Sequence, residues 1–165
     1  MKKIIMILAL VTVAVVSVNA QKSESKKFTF GVGPVVSFPS GDFSTGYGVG
    51  FGGEVEAIMS ISNNFEGFAQ AGYSSFTGKT ISGFKVSSVG FIPVLVGARY
   101  SKDFIGGLGL GYGSFSGGGS SSGGFTFSPQ AGYNFGKIEA LAHYTSVSTS
   151  GGSTNFMGIK VFYKF

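Results

Sequence analysis

The sequence predicts an all-β chain, an eight-stranded antiparallel up-and-down transmembrane β-barrel. Three observations predict it. The 165 residues include 29 Gly and 18 Phe but no Trp, and only 12% are charged, so the chain is apolar on average. Yet beyond residue 16 no apolar run approaches the ~20 residues that a membrane-spanning helix needs. Instead, apolar residues alternate with small or polar ones in eight segments divided by turn residues. That is how a membrane barrel dilutes its hydrophobicity, since one strand face meets lipid and the other meets the lumen.

The chain opens with Met1-Lys2-Lys3, an apolar run from Ile4 to Val16, and the small-residue exit Ser17-Val18-Asn19-Ala20. This order reads as a signal peptide over residues 1–20. An N-terminal anchor helix is the competing reading, but the run is 13 residues, short for a span. Residues 21–165 then form one barrel domain. Its net charge falls from +5 for the full chain to +3 once Lys2 and Lys3 are gone, and the remaining cations are scattered. A nucleic-acid surface would need a clustered basic stripe, so no nucleic-acid partner is expected. The chain has no Cys, which excludes disulfides and thiolate zinc sites. Nothing points to a metal or a cofactor.

The first strand runs from Phe28 to Phe38, with Phe28, Phe30, Val32, Pro34, Val36 and Phe38 on its outer face. Pro39–Gly46 is a loop by its Pro, Gly, Ser and Asp. The second strand, Tyr47–Met59, opposes an apolar face to one holding Glu54 and Glu56. The third, Phe65–Ser75, sets Phe65, Ala69 and Tyr73 against Glu66, Phe68 and Gln70, and a longer connection runs from Phe76 to Ser88. In the fourth, Val89–Tyr100, an outward Ile92, Val94, Val96 and Tyr100 turns Arg99 inward. The fifth, Phe104–Ser114, opposes Leu108, Leu110 and Tyr112 to a row of glycines. Phe115–Gly124 contains GGGSSSGG and reads as a flexible loop.

The sixth strand, Phe125–Phe135, alternates most cleanly. The seventh, Ile138–Val147, holds Glu139 and His143 opposite Ile138, Ala140, Ala142 and Tyr144. The eighth, Asn155–Phe165, has Met157, Ile159, Val161, Tyr163 and Phe165 outside and Phe156, Lys160, Phe162 and Lys164 inside. Long and short connections alternate throughout, with tight turns at Ser62–Asn64, Ser101–Asp103 and Gly136–Lys137. That is the membrane-barrel plan, with short periplasmic turns and longer surface loops. Outer faces ending in Tyr47, Tyr73, Tyr100, Tyr112, Tyr133 and Tyr163 suggest aromatic girdles. Pro34, Pro93 and Pro129 fall inside strands, where each removes a ladder hydrogen bond and should produce a bulge. A soluble secreted β-sandwich is the alternative fold. The terminal strand would be an aggregation-prone edge unless it pairs with the first and closes the sheet.

The inward charges are Glu54, Glu56, Glu66, Arg99, Glu139, Lys160 and Lys164, with His143 beside them. Unpaired buried charges are costly, and eight strands leave an interior that side chains just fill, so a packed ion network is expected. Strand order pairs Glu66 with Arg99 and Glu139 with Lys164. The alternative is a narrow gated pore. A charge at lipid-facing Val161 should be costly and one at Gly119 silent.

These features resemble the small outer-membrane β-barrel proteins of Gram-negative bacteria, in particular the outer membrane protein β-barrel domain family and the OmpX/OmpA-transmembrane-like barrels. The resemblance is architectural and covers nearly all of residues 21–165. It implies a bacterial outer-membrane protein with periplasmic termini, in contact with outer-membrane lipid and lipopolysaccharide. It also implies that the outer-membrane assembly machinery reads the C-terminal Tyr163 and Phe165. The role so implied is structural or surface-interacting, with a surface ligand held by the loops. A narrow channel or transporter for small solutes is the second reading, and a lipid A-modifying enzyme the third. Lipid A deacylases use a His followed two residues later by a Ser. Here His143 is followed by Tyr144 and Thr145, and it faces the lumen, so no catalytic residue is assigned and no enzyme is expected.

Overall fold

In a computed structural model of the chain, residues 28–149 and 151–165 are described. The expected signal peptide, residues 1–20, lies outside them. Among the described residues the order is β1 (Phe28–Ser40), α1 (Phe43–Gly46), β2 (Tyr47–Ser62), β3 (Phe65–Gly78), β4 (Thr80–Ile81), β5 (Phe84–Lys85), β6 (Val89–Ser101), β7 (Phe104–Gly117), β8 (Ser120–Asn134), β9 (Ile138–Thr149) and β10 (Gly152–Lys164). Eight strands close into one antiparallel barrel in the order β1-β10-β9-β8-β7-β6-β3-β2. The short β4 and β5 pair with each other as a separate hairpin. β10 pairs with β1 from Gly31↔Lys164 to Ser40↔Asn155, so the terminal strand leaves no free edge.

The period-two pattern sets the two faces. Val55, Val94, Val96 and Ile159 stand more than half exposed on the outside, while Ile58, Phe68, Leu95, Leu141 and Phe162 are buried within. Rings gather at one rim of the outer face. Phe104 and Tyr133 meet edge-on with centroids 5.2 Å apart, Phe65 and Tyr100 at 5.7 Å. On β7 the outer face runs from Phe104 at this rim to Tyr112, exposed near the other. Eight residues of strand at a barrel tilt span about 20 Å along the axis, close to the ~25 Å apolar band of membrane barrels.

The strands extend further than the sequence pattern predicts. β3 continues through Phe76 to Gly78, and β7 and β8 absorb most of the Ser/Gly segment expected to be a flexible loop. Only Gly118 and Gly119 connect β7 to β8, both with positive φ (59° and 85°), the requirement of a two-residue hairpin turn. The long loops expected at this end are therefore confined to the β1–β2 and β3–β6 connections. Tyr47 does not join the outer girdle. A register shift between Tyr47 and Gly50 turns it inward, because one extra residue flips a strand's faces.

The three prolines also depart from expectation. Pairing lapses beside Pro34 between β1 and β10, beside Pro93 between β3 and β6, and beside Pro129 between β8 and β9. The register is the same on both sides of each lapse, so these are gaps in the ladder and not bulges. A missing N–H removes one donor, but neighbouring pairs hold the alignment.

Inner glycines serve two purposes. Gly113 makes room for a side chain, since a Cβ there would stand 2.7 Å from the Phe91 ring. At Gly33 a Cβ would fall on the Val161 carbonyl oxygen of the neighbouring strand, which is backbone and cannot yield. Gly33→Ala should therefore cost about 1–3 kcal/mol, the penalty of overpacking. Gly106→Ala, on the outer face with nothing within 4 Å of the new Cβ, should stay within about 0.5 kcal/mol. Reversible urea unfolding in lipid vesicles measures both, and equal costs would show that close strand approach does not govern these sites.

Candidate functional site: the barrel lumen

Every second residue of the eight strands points inward, and together these side chains fill the barrel in two chemically distinct halves. The half nearer the tight turns and the C-terminal end of β10 is ionic. Arg99 on β6 is 2% exposed and is surrounded by three carboxylates. Its Nε donates to Glu66 Oε2 at 2.8 Å, Nη1 lies 3.4 Å from Glu56 Oε2, and Nη2 lies 3.0 Å from Glu139 Oε2. Glu139 also accepts from Lys164 Nζ at 2.5 Å, and Lys164 donates to Asn134 Oδ1 at 3.2 Å. Lys160 donates to Glu54 Oε2 at 2.7 Å. The pairs read from strand order, Glu66 with Arg99 and Glu139 with Lys164, are thus within hydrogen-bond reach. Both follow from adjacency, since Glu66 is the register partner of Arg99 and Glu139 that of Phe162, two residues from Lys164.

Two neutral side chains join these clusters. Gln70 and Gln130 exchange hydrogen bonds across the barrel, at 2.9 Å and 3.3 Å. Gln70 also donates to Glu56 at 3.2 Å and accepts from Lys160 at 3.3 Å. The result is one connected network from Glu54 on β2 to Asn134 on β8. An amide suits this place because it donates and accepts at once, linking a carboxylate to an ammonium without adding charge. The alternation of the third strand puts Gln70 on the inner face, and the same alternation in the sixth puts Gln130 there, but neither is assigned to the network by pattern alone. Their position across the lumen from each other follows only from closure.

His143 stands apart from the ion pairs. Its Nδ1 lies 3.1 Å from Thr145 Oγ1, and Thr145 Oγ1 lies 3.0 Å from Ser128 Oγ. Its ring faces Phe156 edge-on, 6.1 Å between centroids. Among the described residues no carboxylate is bonded to it. Thr145 and Ser128 are fully enclosed, so the arrangement is a buried hydrogen-bonded trio and shows no nucleophile to lipid or to solvent.

The opposite half, under the β1–β2 and β3–β6 connections, is aromatic. Phe76, Phe91, Phe115 and Phe156 are buried together with Val89 and Val147, and Phe43 and Tyr47 pack against them. Phe91 and Phe115 lie 4.6 Å apart, and Phe76 and Phe156 5.2 Å apart. The sequence reading placed Phe43, Phe76 and Phe115 in loops. For Phe76 the signal was present, since Phe68, Gln70, Gly72, Ser74 and Phe76 keep one phase of two. Phe43 had none, because it reaches the lumen from a connection.

Tyr163 and Phe165, expected to form an assembly signal, lie on the outside of the barrel at the rim where β10 ends, 48% and 70% exposed, with ring centroids 6.3 Å apart. Lys137 Nζ stands 6.0 Å over the Tyr163 ring.

No protein-family model matches the sequence, and no curated protein matches it significantly. Solved structures do resemble it. Ail, the attachment invasion locus protein of Yersinia pestis, aligns over 86% of this chain and 99% of its own, with 15% identity and a TM-score of 0.56. Ail has also been solved in complex with the heparin analogue sucrose octasulfate. The N-terminal β-barrel domain of Pseudomonas aeruginosa OprF aligns over 86% of this chain and 100% of its own, with 10% identity and a TM-score of 0.54. The outer membrane protein OprG of Pseudomonas aeruginosa gives 86% and 96%, with 12% identity and a TM-score of 0.52. At these identities the likeness is one of fold. The chain has the fold of the small eight-stranded outer-membrane β-barrels, closed by its own terminal strand around a lumen filled with side chains.

Proposed function

We propose that the chain is an integral outer-membrane barrel that acts through its surface connections and whose lumen does not conduct. The observation that carries this reading is the filling of the lumen. A continuous ion network occupies one half and packed rings the other. In this reading residues 1–20 are removed on export, both termini face the periplasm, and the outer face contacts lipid and lipopolysaccharide. The assembly machinery reads Tyr163 and Phe165. Planar-bilayer recording of the purified protein tests it. The expected trace shows no steady openings, and discrete, reproducible openings would instead favour a narrow channel for small solutes.

The surface connections narrow the kind of ligand. Among the described residues at the extracellular end, the charged ones are Asp42, Lys79 and Lys85. Ail has been solved with a polyanion, but two lysines and one aspartate do not make a polyanion site. What this end does present is the β4–β5 hairpin, with Ile81 42% and Phe84 81% exposed at a Ser82-Gly83 turn. The ligand favoured by these groups is recognised through apolar and hydroxyl contacts.

A further inference from the structure

Among the rings of the extracellular cluster, Phe43 differs from the rest in how it is held. Phe76, Phe91, Phe115 and Phe156 project from barrel strands paired on both sides. Phe43 begins α1, a single helical turn in the β1–β2 connection. Its ring centroid lies 4.8 Å from Tyr47, 5.1 Å from Phe76, 5.5 Å from Phe115 and 6.5 Å from Phe156. We propose that these rings form a socket for a small, neutral, single-ring aromatic solute arriving from the extracellular side, and that Phe43 occupies this socket in the unliganded protein.

The anchoring of α1 supports exchange. The turn has no buried residue. It is held by Ser44 Oγ donating to Gly41 O at 2.6 Å, by Lys79 N donating to Gly46 O at 2.9 Å, and by Lys79 Nζ donating to Ser44 O at 2.7 Å. Exposed hydrogen bonds of this kind are replaced by bonds to water at small net cost. Withdrawing Phe43 therefore uncovers little beyond its own ring and the socket wall. The walls that carry Phe76, Phe115 and Phe156 stay in place, because each of these residues is paired on both sides, whereas Tyr47 is paired on one side only, with Gly78.

The geometry also sets the ligand class. Phe43 meets Phe76 and Phe115 edge-on, at interplanar angles of 68° and 62°. Edge-to-face contacts use the ring quadrupole, which an aliphatic group of equal size lacks. No charged residue belongs to the cluster, so an ionic ligand would lose its hydration without compensation. Phe43 acts as a tethered competitor. The apparent affinity for a free ring is the intrinsic affinity reduced by the fraction of protein in which the socket is vacant.

The test uses the whole barrel in lipid nanodiscs, with 4-fluorophenol as probe followed by fluorine NMR and empty nanodiscs as the partition control. The expected result has three parts. The unaltered protein binds the probe saturably above the control. A spin label at position 45, introduced as Thr45→Cys in α1, gains mobility as the probe saturates. Phe43→Ala, confirmed as folded by heat-modifiable gel mobility, binds about tenfold tighter. Binding to Phe43→Ala alone would reduce the socket to an artificial cavity and overturn the proposal, as would a label that the probe leaves unchanged. Should Phe43→Ala fail to fold, Lys79→Ala takes its place. Loss of that tie loosens α1 and raises the affinity severalfold, and an unchanged affinity overturns the proposal.

Discussion

Arg99→Met should destabilise the barrel by about 3–5 kcal/mol, the cost of leaving buried charge uncompensated. Arg99 faces three carboxylates, and they do not depend on it equally. Glu139 keeps Lys164, and Glu66 is partly exposed at the barrel end. Among the described residues Glu56 then keeps only the amide of Gln70, and its other oxygen has no partner. Glu56 is therefore the group that Arg99 removal strands. It follows that Glu56→Gln, placed on top of Arg99→Met, should restore a large part of the loss, because a neutral amide needs no counter-ion. Glu66→Gln on the same background should restore little. Urea unfolding from lipid vesicles, read by circular dichroism, measures all three. Equal rescue by the two Glu variants would mean that the stranded carboxylate is not what destabilises the single variant.

Ile159→Arg should cost about 2–4 kcal/mol, the range for a cation on the lipid face near the bilayer midplane. Ile159 is 54% exposed on the outer face of β10, at the centre of the outer set from Asn155 to Tyr163. Val161, the position suggested by the sequence, lies only two residues from the Tyr163 ring at the rim where β10 ends. A long side chain there reaches the interface more readily, and the cost falls. The comparison site also moves. Gly119 has φ of 85°, so any side chain there strains the turn whatever surrounds it. Ser121, exposed and extended on the projecting part of β8, is the better reference, and Ser121→Arg should stay within about 0.5 kcal/mol. The two variants unfolded side by side in vesicles decide the matter. Equal tolerance would remove the lipid-facing assignment of β10.

The two effects have one origin. A strand in a small membrane barrel places alternate residues in opposite solvents. A cation is costly outside because lipid offers it no partner. Inside it is required, because the carboxylates opposite it are already buried. Lys160 and Ile159 are neighbours in sequence, yet one is 2% exposed against Glu54 and the other faces outward. Exchanging their characters would break the barrel from both sides.

The sequence by itself determined the strand count, the antiparallel order, the face of nearly every residue and the closure of the last strand on the first. These depend on period-two alternation and chain order, which are local properties. It also placed Glu66 beside Arg99, because neighbouring strands joined by a tight turn have a fixed register. Other features depended on the tertiary structure. Gln70 and Gln130 meet across the lumen because the sheet curves until opposite walls touch, a distance that no pair of adjacent strands defines. Tyr47 turns inward through a register shift that alternation cannot show. Pro34, Pro93 and Pro129 interrupt pairing without bending the register, because seven other ladders hold the alignment. Phe43 carried no signal at all. It lies in a connection that reads as polar loop, and it becomes part of the core only because the closed barrel offers a ring of aromatic side chains at its mouth. Local pattern fixes which way a side chain points, and closure fixes what it meets.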